Sequence, residues 1–165
     1  MEATRTLISR LEVRNFATDQ RIPEKDIQAI LEAAYQAPSA MNRQPWKFKL
    51  IKSKKILQRL AIVNLHAKFV GNAGFAVAVY TTQGRFGEID ATRAITLMQA
   101  VAWLIEPRIG SCFNWGWNAA DVSKILGPIE DHQLVTIIPF GYPEKKKFLG
   151  KKNRKPREQV IQEAQ

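Results

Sequence analysis

The segment GFAVAVYTT, residues 74–82, constrains the fold of this chain more than any other. Its apolar side chains follow one another almost without interruption, which is typical of a β-strand covered on both faces. Such a strand needs neighbouring strands at its edges and helices above and below it. We therefore predict a layered α/β or α+β domain with a mixed sheet.

The remaining elements follow from periodicity and capping residues. Two further strands are expected at residues 46–52 and 134–143. The best-marked helix has Asn118 as its N-cap and Gly127 just past its end, and another has Pro23 at its first position. Together, these signals predict five helices, at residues 2–11, 23–36, 54–63, 89–105 and 118–127.

The helix at 89–105 is apolar on almost every side. A helix on the surface of a monomer shows a single apolar stripe, so this one is expected either in the centre of the core or at a subunit interface. For a chain of 165 residues the interface is the attractive interpretation.

The charge balance is strongly basic, with 25 Lys and Arg against 15 Asp and Glu, a formal net charge of +10. That excess favours an anionic partner, which leaves a phosphate-bearing cofactor, a nucleic acid or an anionic membrane. Much of it lies in the segment 145–157, which holds eight basic residues. We predict one domain, residues 1–165, with a basic tail at 145–165.

The tail has two interpretations. It is either a solvated run that touches nucleic acid non-specifically or a docked segment. In the docked case, Lys152 and Arg154 are candidates to close over an anion from the side opposite Arg10 and Arg14.

Several functional classes are disfavoured. The N-terminal residues lack the basic and apolar regions of a signal peptide, and no apolar run reaches the length of about 20 residues that a membrane span needs. The single cysteine excludes an intramolecular disulfide, and the two histidines show no metal-ligand spacing. We expect a cytoplasmic protein with no metal site and no membrane partner.

Arg10 and Arg14, in SRLEVRNF, are four residues apart, so their guanidinium groups lie on one side in either a helix or a strand. Two such groups suit a phosphate, although two solvated surface arginines are the commoner arrangement. Glu12 lies between them. In an extended chain it would join the arginines and repel a phosphate, and in a helix it would point away.

Two loops carry the other unusual residues. APSAMNRQPW, residues 37–46, has two prolines and several amides but no acid, Lys or His. IGSCFNWGWN, residues 109–118, has two glycines that permit close approach of a flat ligand, although a packed turn is an equally good interpretation. Cys112 has no adjacent base and is expected to be a small buried hydrophobe rather than a nucleophile.

Four segments, in a fixed order, resemble the FMN-dependent nitroreductase family. They are SRLEVRNF at 9–16, APSAMNRQPW at 37–46, GSCFNWGW at 110–117 with the helix that follows it, and FGYP followed by NRKP within 140–156. The resemblance implies a mixed, mainly antiparallel sheet flanked by helices. It also implies an intertwined homodimer with two FMN molecules at the subunit interface.

The resemblance further implies a role for individual residues. Arg10, Arg14, Lys152 and Arg154 would bind the FMN phosphate and ribityl chain. The backbone N–H of Gly116 would face the flavin N5, with Trp115 beside the flavin. The other subunit would line the flavin with Pro38, Ser39 and Asn42, with Gln44 nearby.

The family's chemistry is a ping-pong reaction in which hydride passes from NADH or NADPH to the flavin and then to an acceptor such as a nitroaromatic, a quinone or an enone. Since the chemistry takes place on FMN, no catalytic protein acid or base is expected in the first half-reaction.

The sequence also departs from the family pattern. Leu11 and Glu12 stand where the family usually has a polar pair, so a carboxylate replaces one phosphate ligand. Trp115 occupies a position that is often polar or small. Few residues separate Gly84 from Asp90, where larger members insert helices, so we expect an open flavin face.

Three hypotheses follow. The leading one is an FMN-dependent NAD(P)H oxidoreductase. The second keeps the fold and the flavin but changes the reaction to dehalogenation or flavin degradation. The third, from another class, is a basic nucleic-acid-binding protein, and it is less favoured because cofactor phosphates also account for the positive charge.

Overall fold

A four-stranded antiparallel sheet forms the centre of the fold. In the computed structural model, which describes residues 2–84, 86–144 and 152–164, its strands are β1 (Trp46–Ile51), β2 (Phe75–Thr82), β3 (Gly110–Ser111) and β4 (His132–Gly141). Their order is β1-β2-β4-β3. All pairings among these four strands are antiparallel, and the parallel contact between Glu12 and Ser111, at the edge formed by β3, is an isolated bridge.

β2 is the central strand and is buried along seven of its eight residues, which confirms the expectation of a strand covered on both faces. Because alternate side chains point to opposite faces, it contributes to two separate apolar clusters. Phe75, Val77 and Val79 face one cluster, and Ala76 and Ala78 face the other.

Helices cover both faces of the sheet. Within the described residues these are α1 (Glu2–Ser9), α2 (Glu24–Tyr35), α3 (Lys54–Val63), α4 (Gly87–Leu104) and α5 (Ala119–Leu126). Helices α2 and α4 pack together over one face, and α3 and α5 cover the other with the 3₁₀ segment Leu65–Asn72. The α+β class with a helix-flanked, mainly antiparallel sheet is therefore confirmed.

The sequence analysis placed some boundaries wrongly. Helix α1 ends at Ser9, and Pro23 is the cap of α2 rather than its first residue, because its ψ of 144° lies outside the helical region. Strand β3 lies in a segment that was predicted only as a turn. At two residues it is too short to produce a periodic pattern.

Helix α4 has two apolar sides. One side is buried against the sheet and α2 and includes Ala94, Ile95 and Met98. On the other side, Ile89 and Leu97 remain exposed. The predicted apolar character on nearly every side is therefore present, and the core covers only part of it.

The N-terminal segment after α1 lies beside β3. The backbone N–H of Val13 donates to the Ser111 carbonyl at 2.8 Å, and Phe16 forms an antiparallel bridge with Pro143. Close approach is possible because Gly110 has no side chain, since a Cβ there would lie 2.6 Å from a Val13 methyl carbon. This contact fixes the position of Arg10, Glu12 and Arg14.

The basic tail is described only in part, since residues 145–151 lie outside the described residues. The segment 152–164 is exposed, with a 3₁₀ turn at Arg157–Gln159. The Lys152 ammonium contacts the Ile8 carbonyl at the end of α1. No helix in the described part of the chain is both long and apolar enough to cross a lipid bilayer.

The N-cap of α5 provides a test of the fold. The Asn118 side chain accepts a hydrogen bond from the Asp121 backbone N–H at 3.1 Å, as the sequence predicted. We expect Asn118→Ala to lower the free energy of unfolding by about 1 kcal/mol, measured by urea denaturation, because an N-terminal N–H loses its acceptor. Asn118→Ser retains an acceptor and should cost much less. Equal losses in the two variants would contradict this role of the cap.

Candidate functional site

Arg10 and Glu12 form an ion pair in the extended segment after α1. The Arg10 Nη2 and Glu12 Oε1 atoms are 2.8 Å apart, and the two side chains are 27% and 32% exposed. Since the backbone is extended there, Glu12 lies on the side of the arginines, as the extended alternative predicted. The positively charged cluster therefore contains a carboxylate.

Glu12 also holds the turn that follows β3. Its Oε2 atom accepts a hydrogen bond from the Phe113 backbone N–H at 2.7 Å. The Gln99 side chain of α4 makes a long contact to the same oxygen, at 3.5 Å, and donates to the Ser111 hydroxyl at 3.2 Å. One carboxylate therefore links the N-terminal segment, α4 and the turn at 112–118.

Cys112 lies next to this cluster and is fully buried, which confirms the expected small buried hydrophobe. Burial, and then the nearby Glu12 carboxylate, raises the pKa of the Cys112 thiol to about 12. Arg14 and Arg10 act in the opposite direction. Both arginines and Glu12 thus lie within electrostatic reach of one sulfur atom.

Asn64 holds the turn at 112–118 in place, a role that the sequence analysis missed. The Asn64 Nδ2 atom donates to the Trp115 carbonyl at 3.0 Å, and its Oδ1 accepts from the His66 backbone N–H at 3.0 Å. The side chain is a buried amide with both ends used, and the residue is 3% exposed. Its only sequence signal is that of an N-cap residue, which gives no indication of a distant partner.

Gly116 follows with a left-handed backbone, at a φ of +83°, and it is exposed. A Cβ at this position would still be 3.9 Å from the Asn64 amide, so space is free beside the backbone. Glycine is the residue that adopts this φ without strain. Trp115 is 69% exposed, and its ring centroid lies 4.9 Å from that of Phe113.

The loop APSAMNRQPW is strained and self-bonded. Met41, Asn42 and Gln44 have φ values of 51°, 55° and 49°, a conformation that is costly for residues other than glycine. The Ser39 hydroxyl accepts from the Gln44 backbone N–H at 2.9 Å, and the Gln44 amide donates to the Asn42 carbonyl at 3.1 Å. Backbone strain of this kind is concentrated at functional sites.

Asp90 of α4 anchors this loop. Its Oδ2 atom accepts from the Ala40 backbone N–H at 2.9 Å, and its Oδ1 atom pairs with Arg93 at 3.2 Å. The carboxylate is almost fully buried, and its two partners satisfy both oxygens. The loop is therefore attached to α4 rather than free in solution.

A groove of about 710 Å³ runs along the exposed side of α4 between this loop and the turn. Its apolar lining is Pro38, Ile89, Leu97, Trp115 and Val135. The structure thus places Pro38 and Trp115, two predicted site residues, on one groove within a single chain.

The remaining predicted residues fall into two groups. Arg10, Arg14 and the Lys152 contact with Ile8 lie around the N-terminal segment. Arg154 is exposed, and the one hydrogen bond assigned to its side chain goes to the neighbouring Asn153 carbonyl at 3.3 Å. No group of three or more potential metal-ligating side chains occurs among the described residues.

Comparison with known proteins shows what this chain is similar to. The model of the Nitroreductase family matches residues 7–65. A protein of Archaeoglobus fulgidus, provisionally named NADH dehydrogenase/NAD(P)H nitroreductase, is 32% identical over 78 residues, which are 47% of this chain and 44% of that protein. The resemblance to the nitroreductase family is confirmed. The matched part spans less than half the length of this relative.

Solved structures with the nitroreductase fold cover almost the whole chain. A provisionally named NADH dehydrogenase/NAD(P)H nitroreductase from Bacteroides thetaiotaomicron has a TM-score of 0.85 and 21% identity, with 98% of this chain and 97% of that chain covered. A provisionally named nitroreductase from Exiguobacterium sibiricum, in complex with FMN, has a TM-score of 0.84 and 17% identity, with 99% and 98% covered. At these identities the likeness establishes the fold.

A bound FMN would meet different surroundings at its two ends. Beside Gly116 the backbone is open and lies against a buried amide, which suits a flat, polar-edged ring. At the other end, the Arg10 Nη1 atom is buried with no hydrogen-bond partner within the described residues, so one donor is left for an anion. The adjacent Nη2 atom is already used by Glu12.

The raised pKa of Cys112 has a measurable consequence. Because only the thiolate is nucleophilic, the native thiol should resist iodoacetamide at pH 8, whereas the chain unfolded in guanidinium chloride should be alkylated rapidly. Mass spectrometry of intact protein measures both rates. Alkylation of the folded protein at the rate of the unfolded chain would contradict the burial and charge environment described for this sulfur.

Proposed function

We propose that this chain is an FMN-dependent oxidoreductase that passes hydride from NADH or NADPH to a small organic acceptor by a ping-pong mechanism. A nitroaromatic, a quinone or an enone is the expected class of acceptor. The observation that carries the proposal is the exposed, left-handed Gly116 backbone, held beside the buried Asn64 amide and the exposed Trp115 ring. The family match and the FMN complex of a structural relative support it.

In this proposal the ring end of the site is formed by the turn at 112–118. The Gly116 backbone N–H would face the reactive edge of the flavin, and Asn64 keeps the turn in place through the Trp115 carbonyl. When bound, FMN supplies the hydride-transfer chemistry of the reaction. The chain positions it and excludes water on the side covered by the turn.

The phosphate end is formed by cations of the N-terminal segment and the tail. The unpartnered Nη1 atom of Arg10 and the exposed Arg14 are available there. Lys152 lies close by through its contact with Ile8, and Arg154 follows in the same segment. Guanidinium and ammonium groups bind phosphate oxygens through charge-assisted hydrogen bonds.

A second copy of the chain completes the site in this proposal. Pro38, Ser39, Asn42 and Gln44 of one subunit would line the flavin of the other, and the exposed apolar side of α4 would be covered in the homodimer. Asp90 of α4 holds the strained backbone of that loop. The same helix would therefore contribute to the dimer contact and position the loop beside the flavin. Residues 1–165 would act as one flavin-binding domain with a basic tail.

No general acid or base is assigned to the first half-reaction. The amides of Asn42 and Gln44 present both donors and acceptors without adding charge beside the ring. Trp115 is mostly exposed, so a flat aromatic acceptor would stack against it. The short connection before α4 leaves the approach open.

Reconstitution with flavin tests the proposal. Adding FMN to the purified protein should perturb the visible flavin spectrum. NADH or NADPH should then bleach the flavin under nitrogen at a rate proportional to protein, and a quinone or nitroaromatic should restore it. A wild-type protein that neither perturbs the flavin spectrum nor accelerates bleaching would contradict the function.

Two glycine variants make the test specific for the site. Gly116→Ala and Gly127→Ala both place a side chain at a positive φ, 83° and 74°. Gly127 is the more demanding position, because its ψ of 153° lies in a region open almost only to glycine. We expect Gly116→Ala alone to lose the spectral change and the bleaching, with Gly127→Ala as a control for backbone strain. Full activity in Gly116→Ala would show that the flavin does not lie at this turn.

A further inference from the structure

The Glu12 carboxylate is seated among the donors that an incoming anion would use. Its Oε1 atom lies 2.8 Å from Arg10 Nη2, and its Oε2 atom lies 2.7 Å from the Phe113 backbone nitrogen. A carboxylate that accepts one hydrogen bond on each oxygen occupies the same two donors that two phosphate oxygens would use. The chain therefore places an anion of its own in this cluster.

What remains of Arg10 for an external anion is small. Of the two terminal nitrogens of Arg10, only Nη1 is without a hydrogen-bond partner within the described residues. The Phe113 N–H already donates to the carboxylate, which also receives the long contact from Gln99. A phosphate approaching Arg10 would have to displace Glu12 or share its guanidinium with it.

The negative charge of Glu12 also disfavours phosphate binding, as its position does. The ion pair cancels the charge of Arg10 locally. Arg14 is exposed on the same segment, and it forms no salt bridge among the described residues. A carboxylate close to a phosphate dianion also raises the free energy of the bound phosphate, because like charges repel at short range in a partly desolvated site. Since Glu12 is only 32% exposed, solvent screens this repulsion incompletely.

We infer that Glu12 is a built-in anion that removes most of the phosphate contribution to flavin binding, so that the site selects the isoalloxazine ring and accepts riboflavin nearly as well as FMN. The inference rests on the proposed flavin function and specifies the ligand of that site. Gly116, Asn64 and Trp115 hold the ring end and are independent of the phosphate. Glu12 is a specificity-determining residue and takes no part in electron transfer.

A flavin held mainly by its ring exchanges more readily than one whose phosphate is tightly bound. Affinity differences between related ligands appear mostly in the dissociation rate. The protein should therefore release FMN during extensive dialysis, and added riboflavin should support turnover.

Flavin titration of wild-type protein and of a charge-neutral variant measures the effect of the Glu12 charge on flavin affinity. Dissociation constants for FMN and riboflavin are measured from the quenching of flavin fluorescence, without nicotinamide, at an ionic strength of about 0.1 M, where the Debye length is about 10 Å. Glu12→Gln keeps an oxygen that can accept from Phe113 and removes the charge. Glu130→Gln makes the same change of charge in an exposed residue before β4, at the end of that strand opposite its pairing with Ser111. Thermal denaturation checks that each variant folds.

We expect the wild-type dissociation constants for FMN and riboflavin to agree within about threefold, which is a small difference in binding free energy. Glu12→Gln should bind FMN about tenfold more tightly and leave riboflavin within about twofold, because a charge-assisted contact to phosphate is gained and a repulsion is lost. Glu130→Gln should change neither constant by more than about twofold, because exposed distant charges are screened.

The possible outcomes distinguish the inference about Glu12 from the proposed flavin function on which it rests. Wild-type protein that binds FMN about a hundredfold more tightly than riboflavin would overturn the inference and support the flavin function. The same holds if Glu12→Gln folds, binds flavin and shows no gain for FMN. Failure of the wild type and of Glu12→Gln to bind either flavin would overturn both.

Discussion

Burial of β2 on both faces determines where everything else in this fold lies. A strand with seven buried residues requires a pairing strand on each side and an apolar layer above and below. β1 and β4 provide the pairing, and the helices α2, α4, α3 and α5 provide the layers. Chemistry is consequently confined to the ends and the outer edge of the sheet. There the short strand β3 and the extended segment around Glu12 leave polar side chains and backbone accessible.

The candidate site at that edge depends on a few polar contacts rather than on the core. Glu12 joins the N-terminal segment to the Phe113 backbone, Asn64 supports the Trp115 carbonyl, and Asp90 holds the loop at Ala40. Two of these three residues are negatively charged, and each is satisfied by donors. Asn64 and Asp90 are buried, and buried polar groups specify a geometry because leaving any one of them unpaired is costly. The site is thus pre-shaped before a ligand arrives.

Much of this architecture was predictable from the sequence, because it depends on local signals. The covered strand, the five helices and the cap of α5 at Asn118 follow from periodicity and capping chemistry. Other features depend on contacts distant in sequence. Asn64 gives no sign that its partner is Trp115, and the side occupied by Glu12 could be decided only once the backbone was known to be extended.

Backbone strain was also beyond sequence reasoning. A positive φ is not inferred from the sequence at Met41 or Gln44, and the structure shows that Asp90 and the Ser39 hydroxyl hold the loop in this conformation. Conversely, the resemblance proposed Arg10 and Arg14 as phosphate ligands, and only the structure shows that Arg10 is paired with Glu12. That pairing distinguishes the site from an ordinary phosphate-binding cluster.

A crystal structure of the protein grown with FMN tests the central claim most directly. The account predicts a dimer with the isoalloxazine ring against Gly116 of one subunit and the loop at Pro38 of the other, and a Glu12 side chain that keeps its contact with the Phe113 N–H. A flavin bound elsewhere, or a monomer whose Gly116 turn remains empty at saturating FMN, would contradict it.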